Sequence, residues 1–418
     1  MFLTTLEAVD FRLESGRTLD LGRDWVAFTG PNGSGKTNWL DAVHFLCLGR
    51  SYFTRQDRNL VRFGQRGFRL VGQFGAGRPA AGPDGAGRPA AGPDGAGRPA
   101  AGPDGAGRPA AGPLQGEPLS AQITVVYKTG GGKEVAVNGR LYDRLSEHLG
   151  RFPVVMVAPG DLVLLEGGAT ERRRMVDMML AQSSPDYVHV LLRRDHFLAQ
   201  RNALLRAARL GPAPDKDLME CYDRELILCH RRIHASRLEW IASYGPLVSQ
   251  IYAGMGGTEE IAEVRYLSEW TEQADLGQRP DLRREIEAGY TLWGTQRDDL
   301  DFHLDGRPAR RYASQGQRKS LVLALKLAQV RFFLQSGKTY AALLLDDFFE
   351  KLDHHRLKGL VQVLQDLSAR GVQVFLSDTG TQRVRDLLAS CGQDCTIFEL
   401  TKPLPSPCSE FHHAPPNP

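Results

Sequence analysis

At 418 residues, 42% of them hydrophobic and 24% charged, the chain is long enough to bury one large core or two modest ones. Its 52 Lys and Arg against 49 Asp and Glu leave a formal charge of only +3, so any contact with nucleic acid must use local patches rather than overall attraction. The six cysteines form no CxxC pair, which speaks for free thiols, and no stretch approaches the ~20 apolar residues of a membrane span. The start carries acids early and does not read as a signal peptide, so a cytoplasmic protein is expected.

In chain order, Phe2 to Asp10 alternates apolar and polar residues, and Trp25 to Thr29 is a short apolar run ending at a glycine; both predict strands. After Lys36, the residues Trp39, Leu40, Val43, Leu46 and Cys47 recur at helical spacing. Between strand and helix stands Gly30-Pro31-Asn32-Gly33-Ser34-Gly35-Lys36-Thr37, a complete GxxxxGK[ST] loop in the context that this motif requires. Glycines there let backbone N–H groups turn inward around phosphates, and the helix start adds the positive end of its dipole. Lys36 is the expected contact for the β- and γ-phosphates, and the Thr37 hydroxyl a ligand of Mg²⁺, making ATP and Mg²⁺ the expected cofactors.

From Gly75 to Pro113 the decamer GAGRPAAGPD repeats in tandem. It holds no large apolar side chain to offset the entropy of ordering, which predicts a disordered loop. Strands resume at Gln122–Tyr127 and Glu134–Val137 around Gly130-Gly131-Gly132, a hairpin signal, so the repeat is expected inside a β region. Thr170 to Ile251 is helical, with Gly211-Pro212-Ala213-Pro214 predicting that two long helices double back on each other. Asp301–Leu304 reads as a strand, Gln317–Leu334 as a long helix and Ala341–Leu345 as a buried strand, and a proline-rich tail begins at Pro403.

Two further segments carry chemistry. The strand Leu343-Leu344-Leu345 ends in Asp346-Asp347, and a carboxylate at the mouth of a buried strand needs a cation. Mg²⁺ on Thr37 supplies one for Asp346, and Asp347 then takes the place of the residue that polarises attacking water; its alternative is a solvated strand end. Ser314-Gln315-Gly316-Gln317 precedes the long helix. As an N-cap, Ser314 would present N–H groups to an anion, or simply cap the helix. The order of the three motifs points to an α/β fold: an ABC-type P-loop ATPase head with a mixed sheet and an inserted helical lobe. The expected boundaries are residues 1–160 and 296–400 for the head, 161–295 for the lobe and 401–418 for a flexible tail.

Beyond spacing, Phe11-Arg12, GPNGSGKTNWLDAVHFLCLGRSYFT, VVMVAPGDLVLLEGGATERRRMVDMML, HFLAQRNALL, GTQRDDL, YASQGQRKSLVLALKLAQ and LLLDDFFEKLD together resemble the RecF family of bacterial recombination mediators. The resemblance runs to about residue 379, outside the decamer insert and the tail. It implies ATP-driven homodimerisation, DNA binding at single-strand/double-strand gaps, and cooperation with RecO and RecR in loading a recombinase. Residue by residue, it implies that Gly30 to Thr37 bind nucleotide, that Asp346 holds the metal with Thr37, and that Ser314, Gln315, Gly316 and Gln317 meet the γ-phosphate bound by the partner subunit. Lys36 and Asp347 would be catalytic, Arg12 would reach phosphate or adenine, and Asp353 falls where such ATPases have a D-loop at the dimer seam, a helix N-cap being its rival reading.

The chain departs from the family at Thr295 and Gln296, usually Pro and His, and has Ser377-Asp378-Thr379 where related ATPases carry a switch histidine. Arg172, Arg173 and Arg174 are the foremost candidate DNA contacts, with Arg193-Arg194, Arg231-Arg232 and Arg310-Arg311 behind them, and each could instead be a solvated helix face. The rival readings are a transporter subunit, a catalytically inert binding module, and, closest, an SMC or Rad50-like head or other ABC ATPase outside gap repair.

Overall fold

The computed structural model describes residues 1–75, 120–256, 260–270, 281–338, 340–347, 354–391 and 394–401. The decamer repeat beyond Gly75, Asp353 and the tail lie outside this set. Three sheets organise the described residues.

The first sheet is antiparallel and has six strands: β1 (Phe2–Val9), β2 (Arg17–Asp20), β4 (Gly67–Gly75), β5 (Ala121–Lys128), β6 (Gly132–Val137) and β7 (Arg140–Leu141), in the order β2-β1-β4-β5-β6-β7. One face is buried and the other partly open, so β4 alternates buried and accessible side chains. The second sheet is parallel, in the order β14-β3-β13-β12-β8, and comprises β3 (Trp25–Thr29), β8 (Val154–Val157), β12 (Ala342–Leu345), β13 (Gln373–Asp378) and β14 (Cys395–Glu399). Both its faces are covered, which is why β3, β8, β12 and β13 are buried throughout; β8 and β12 read as continuous apolar runs, whereas β13 begins and ends in buried polar residues, Gln373, Ser377 and Asp378. A small antiparallel sheet joins β9 (Ala262–Leu267), β10 (Asp299–Leu304) and β11 (Arg307–Pro308).

The helices are α1 (Lys36–Leu48), α2 (Val163–Glu166), α3 (Ala169–Ser183), α4 (Pro185–Ala208), α5 (Lys216–Gly254), α6 (Leu282–Ala288), α7 (Ala309–Tyr312), α8 (Gln315–Gln335), α9 (His354–Ala369) and α10 (Thr381–Cys391). The Gly-Pro break falls between α4 and α5, which pack together as expected. At 39 residues, however, α5 runs beyond the lobe: Tyr244 donates from its hydroxyl to the Leu325 carbonyl at 2.7 Å, clamping α5 onto α8. One apolar cluster therefore continues from Met179 and Ile233 in the lobe through Trp240 and Leu325 to Leu343 in the parallel sheet. The lobe is rooted in the head's core, and the sequence boundaries at 161 and 295 are not breaks in packing.

Candidate nucleotide site

The strand order β3-β13-β12 brings three chain ends into one row at the carboxyl edge of the parallel sheet, the usual place for a ligand in such folds. Gly30 follows β3, Asp346 follows β12, and Ser377 and Asp378 end the strand between them. Gly30 has φ 145°, and a Cβ there would lie 2.2 Å from the Leu400 carbonyl oxygen, so a side chain is excluded twice over.

Gly35, at φ 99°, turns the chain into α1 and leaves the helix start with no side-chain cap. Its first N–H groups thus face the loop, as an anion site requires. Lys36 is 4% exposed and its ammonium donates to the carbonyls of Gly30 at 2.8 Å and Pro31 at 3.2 Å. Ser34 Oγ is buried with no hydrogen-bond partner inside the same loop. A buried cation resting on carbonyls, beside an orphaned hydroxyl, fits a nucleotide phosphate.

The Thr37 hydroxyl donates to Asp346 Oδ1 at 2.9 Å, so the two groups expected to share a metal are already adjacent. Burial pushes the Asp346 carboxyl above the usual carboxylate range, opposed by hydrogen bonds from Ser377 and Thr37. A hard cation would reverse that penalty. One carboxylate and one hydroxyl suit Mg²⁺, which takes its remaining oxygens from phosphates and water.

Sequence reasoning missed the part played by Ser377. Its hydroxyl donates to Asp346 Oδ1 at 2.7 Å and accepts from the Asp347 N–H at 3.0 Å, tying both acids to the central strand. Asp347 has φ 43°, a left-handed conformation uncommon for a non-glycine residue and one that cradles and active-site turns concentrate. Arg12, also left-handed at φ 54°, donates to Asp41 on α1 at 2.6 Å. Asp41 is fully buried and further accepts from Ser51 Oγ and the Tyr52 N–H, so Arg12 is pinned one turn along the P-loop helix from Thr37.

The Ser314 to Gln317 segment stands apart. Ser314 caps α8: its hydroxyl accepts from the Gln317 N–H at 3.2 Å, and the Gln317 side chain accepts from the Ser314 N–H at 2.7 Å. Ser314, Gln315 and Gly316 are exposed, and among the described residues the N–H groups of Gln315 and Gly316 have no protein acceptor. Gln317 also donates to Glu260 at 2.6 Å, and Glu260 accepts from the Tyr252 hydroxyl of α5 at 2.9 Å.

The arginine triplet needs correction. Arg172 is buried and makes a two-pronged pair with Asp299, at 2.7 and 2.8 Å, plus a bond to the Gly167 carbonyl, so it is not available to DNA. It shares the i, i+3, i+4, i+7 stripe of α3 with Met175, Val176 and Met179, a signal that the sequence did contain. Arg173 donates to the Asp298 carbonyl at 2.7 Å, and Arg174, half-buried, lies beside Glu171. Thr295, at the family's variant position, is buried and hydrogen-bonded to His230 Nδ1 at 2.9 Å.

No protein-family model matches the chain. Among curated proteins it is similar to the DNA replication and repair protein RecF of Moorella thermoacetica (33% identical, 90% of each chain) and of Parabacteroides distasonis (30%, 92% of this chain and 93% of that protein). Among solved structures, the recombination mediator protein RecF-ATPrS superposes with a TM-score of 0.74 at 24% identity over 95% of this chain and 96% of that one. An Smc head bound to the C-winged helix domain of ScpA reaches 0.51 at 14% identity over 96% and 95%, a likeness of fold. Sequence similarity of that depth, spread over nearly the whole length, means that the chain belongs to the RecF family of DNA replication and repair proteins.

Proposed function

We propose that the chain is an ATP-dependent DNA-binding protein of recombinational repair, in which two copies close on ATP and Mg²⁺, each P-loop facing the partner's Ser314–Gln317 segment. The observation that carries this reading is a pair of incomplete half-sites that no hydrogen bond joins among the described residues. The P-loop, Thr37 and Asp346 form one, and the exposed start of α8, with two N–H groups lacking acceptors, forms the other. A phosphate on the P-loop of one copy satisfies the helix start of another. The similarity to recombination mediator RecF solved with ATP and ATPrS, a protein of the RecFOR pathway, supports ATP as the nucleotide and RecO and RecR as partners; loading of a recombinase at gapped DNA is part of the proposal.

In the closed state, Lys36 steadies the β- and γ-phosphates and Asp347 orients the attacking water. Asp347 has one methylene fewer than the glutamate common in these ATPases, and Ser377-Asp378-Thr379 stands at the end of β13 in place of a histidine, so turnover is slow and ATP acts as a switch. Light scattering tests the dimer: Ser314→Arg is expected to keep ATP binding and lose ATP-driven dimerisation, and unaltered dimerisation would refute the facing half-sites. For the switch, Asp347→Asn is expected to dissociate from gapped DNA under ATP more slowly than the parent; an equal or faster rate counts against it.

A further inference from the structure

Resting on the reading of the chain as a DNA-binding protein, we infer that the turn Arg62–Arg66 and the arginines before it form a contact surface for single-stranded DNA, with Phe63 stacking on an unpaired base. Residues 50–69 carry Arg50, Arg55, Arg58, Arg62, Arg66 and Arg69 against one acid, Asp57. That acid is already neutralised by Lys133 at 2.7 Å, and Arg69 is offset by Glu7 and Arg62 by Asp10, the latter at 3.7 Å. Arg55, Arg58 and Arg66 are exposed and have no carboxylate partner among the described residues. The surplus is thus concentrated in one short segment of a chain whose total charge is nearly balanced.

The second observation is Phe63, whose side chain is fully exposed at 102%. It sits at the tip of a tight turn closed by the Gln65 N–H donating to the Arg62 carbonyl at 3.0 Å, with Gly64 at φ 82° supplying the left-handed step. The turn is held from below: the Arg62 N–H donates to the Asp10 carbonyl at 2.8 Å, and Val61 bridges to Phe11. A phenyl ring on a fixed tip, flanked by guanidinium groups, has the aromatic-and-basic interleaving that grips a strand by stacking bases and pairing phosphates. An acidic protein partner would use the charge but has less need of a lone ring projecting past it. The surface also lies beside Phe11-Arg12, and Leu13 approaches Gly35 of the P-loop, so it is one short segment away from the nucleotide.

The test uses the full chain with ATP and Mg²⁺ and three probes: a single-stranded oligonucleotide, a gapped duplex and a blunt duplex, with affinity read by fluorescence anisotropy across salt. Phe63→Ala is expected to weaken single-strand and gapped-DNA binding about 5- to 100-fold, as loss of one stacked base implies. Blunt duplex should change little, and Phe63→Trp should retain binding. Arg58→Ala and Arg66→Ala should each flatten the slope of log affinity against log salt by roughly 0.7 on single strands. All of these side chains are exposed, so unchanged melting temperatures accompany the expected result. A 5-iododeoxyuridine strand should crosslink to Phe63. Unchanged affinity in the variants, with the parent binding DNA, overturns this surface alone and leaves it to a protein partner; equal losses on blunt duplex overturn the stacking. A parent that binds no DNA under ATP overturns the proposed function as well.

Discussion

The P-loop edge and the root of the helical lobe both bury charged side chains, yet they satisfy them in opposite ways. In the lobe, Arg237 is 1% exposed and pairs with Asp298 at 2.6 Å and Asp177 at 2.8 Å; Asp177 also accepts from Tyr187, and Asp298 from Tyr266 and Ser268. Arg201 is held likewise by Glu285 and Asp223. At the P-loop, Lys36 rests on two carbonyls, Ser34 has no partner and Asp346 has only hydroxyls. Charge matched to charge is architecture, whereas charge left on weak partners is capacity for a ligand.

The largest effect should come from breaking the closed network. Arg237→Ala strands two carboxylates in the interior and is expected to cost roughly 3–5 kcal/mol, read from urea unfolding. If the variant unfolds like the parent, the network is ornamental. At the P-loop the order reverses. Lys36→Ala should change nucleotide-free stability by less than about 1 kcal/mol, because no carboxylate loses its partner. It should instead abolish the roughly 2.7 kcal/mol of protection that ATP gives at a hundred times its dissociation constant. A Lys36→Ala protein still protected by ATP would mean that the ammonium is structural.

Acid sharpens the contrast next. Burial lowers the pKa of His230 to about 3, and of His44 and His148 to about 4. Each binds its proton in the unfolded chain near the ordinary histidine value of 6.5 but not in the folded one, so stability is full above pH 6.5 and falls as pH drops towards the folded values. The loss is on the order of 1 kcal/mol per histidine per pH unit. Melting curves between pH 7 and 5 should show the decline, and His230→Gln should make it shallower; an identical slope would remove His230 from the account. The smallest effect separates neighbours in one triplet. Arg174→Ala should alter stability by at most about 0.5 kcal/mol, as exposed pairs do. Arg172→Ala, which unpairs Asp299, should cost about 1–3 kcal/mol by the same measurement.

What the sequence disclosed follows the same division. The P-loop was legible because its eight residues are contiguous and act largely through backbone, and Asp346 because its strand is apolar to the last residue. Ser377 was not, since its hydroxyl matters only once β13 is known to lie between β3 and β12. Arg172 was read as one of three equivalent basic residues, although its phase with Met175, Val176 and Met179 sets it inward. The partners of Arg237 lie 60 and 61 positions away, a distance that no local pattern spans. Strand β4 escaped because Gly67, Gly72 and Gly75 dilute its alternation; a Cβ at Gly72 would strike Leu46 at 2.1 Å, so that glycine is there for close packing against α1.

Strands β4 and β5 stay paired as far as Phe74 and Ala121, on either side of the decamer repeat. Their ends are held by the sheet, whatever length of chain joins them. By loop-closure entropy alone, dropping ten residues from a connection of about 45 changes the closure cost by only about 0.2 kcal/mol. Tandem copies of one unit are also prone to gain or lose a unit when their coding sequence is copied. Selection on folding would scarcely register such a change here, so sister lineages are free to differ at this hairpin by multiples of ten residues while the nucleotide site beneath stays the same.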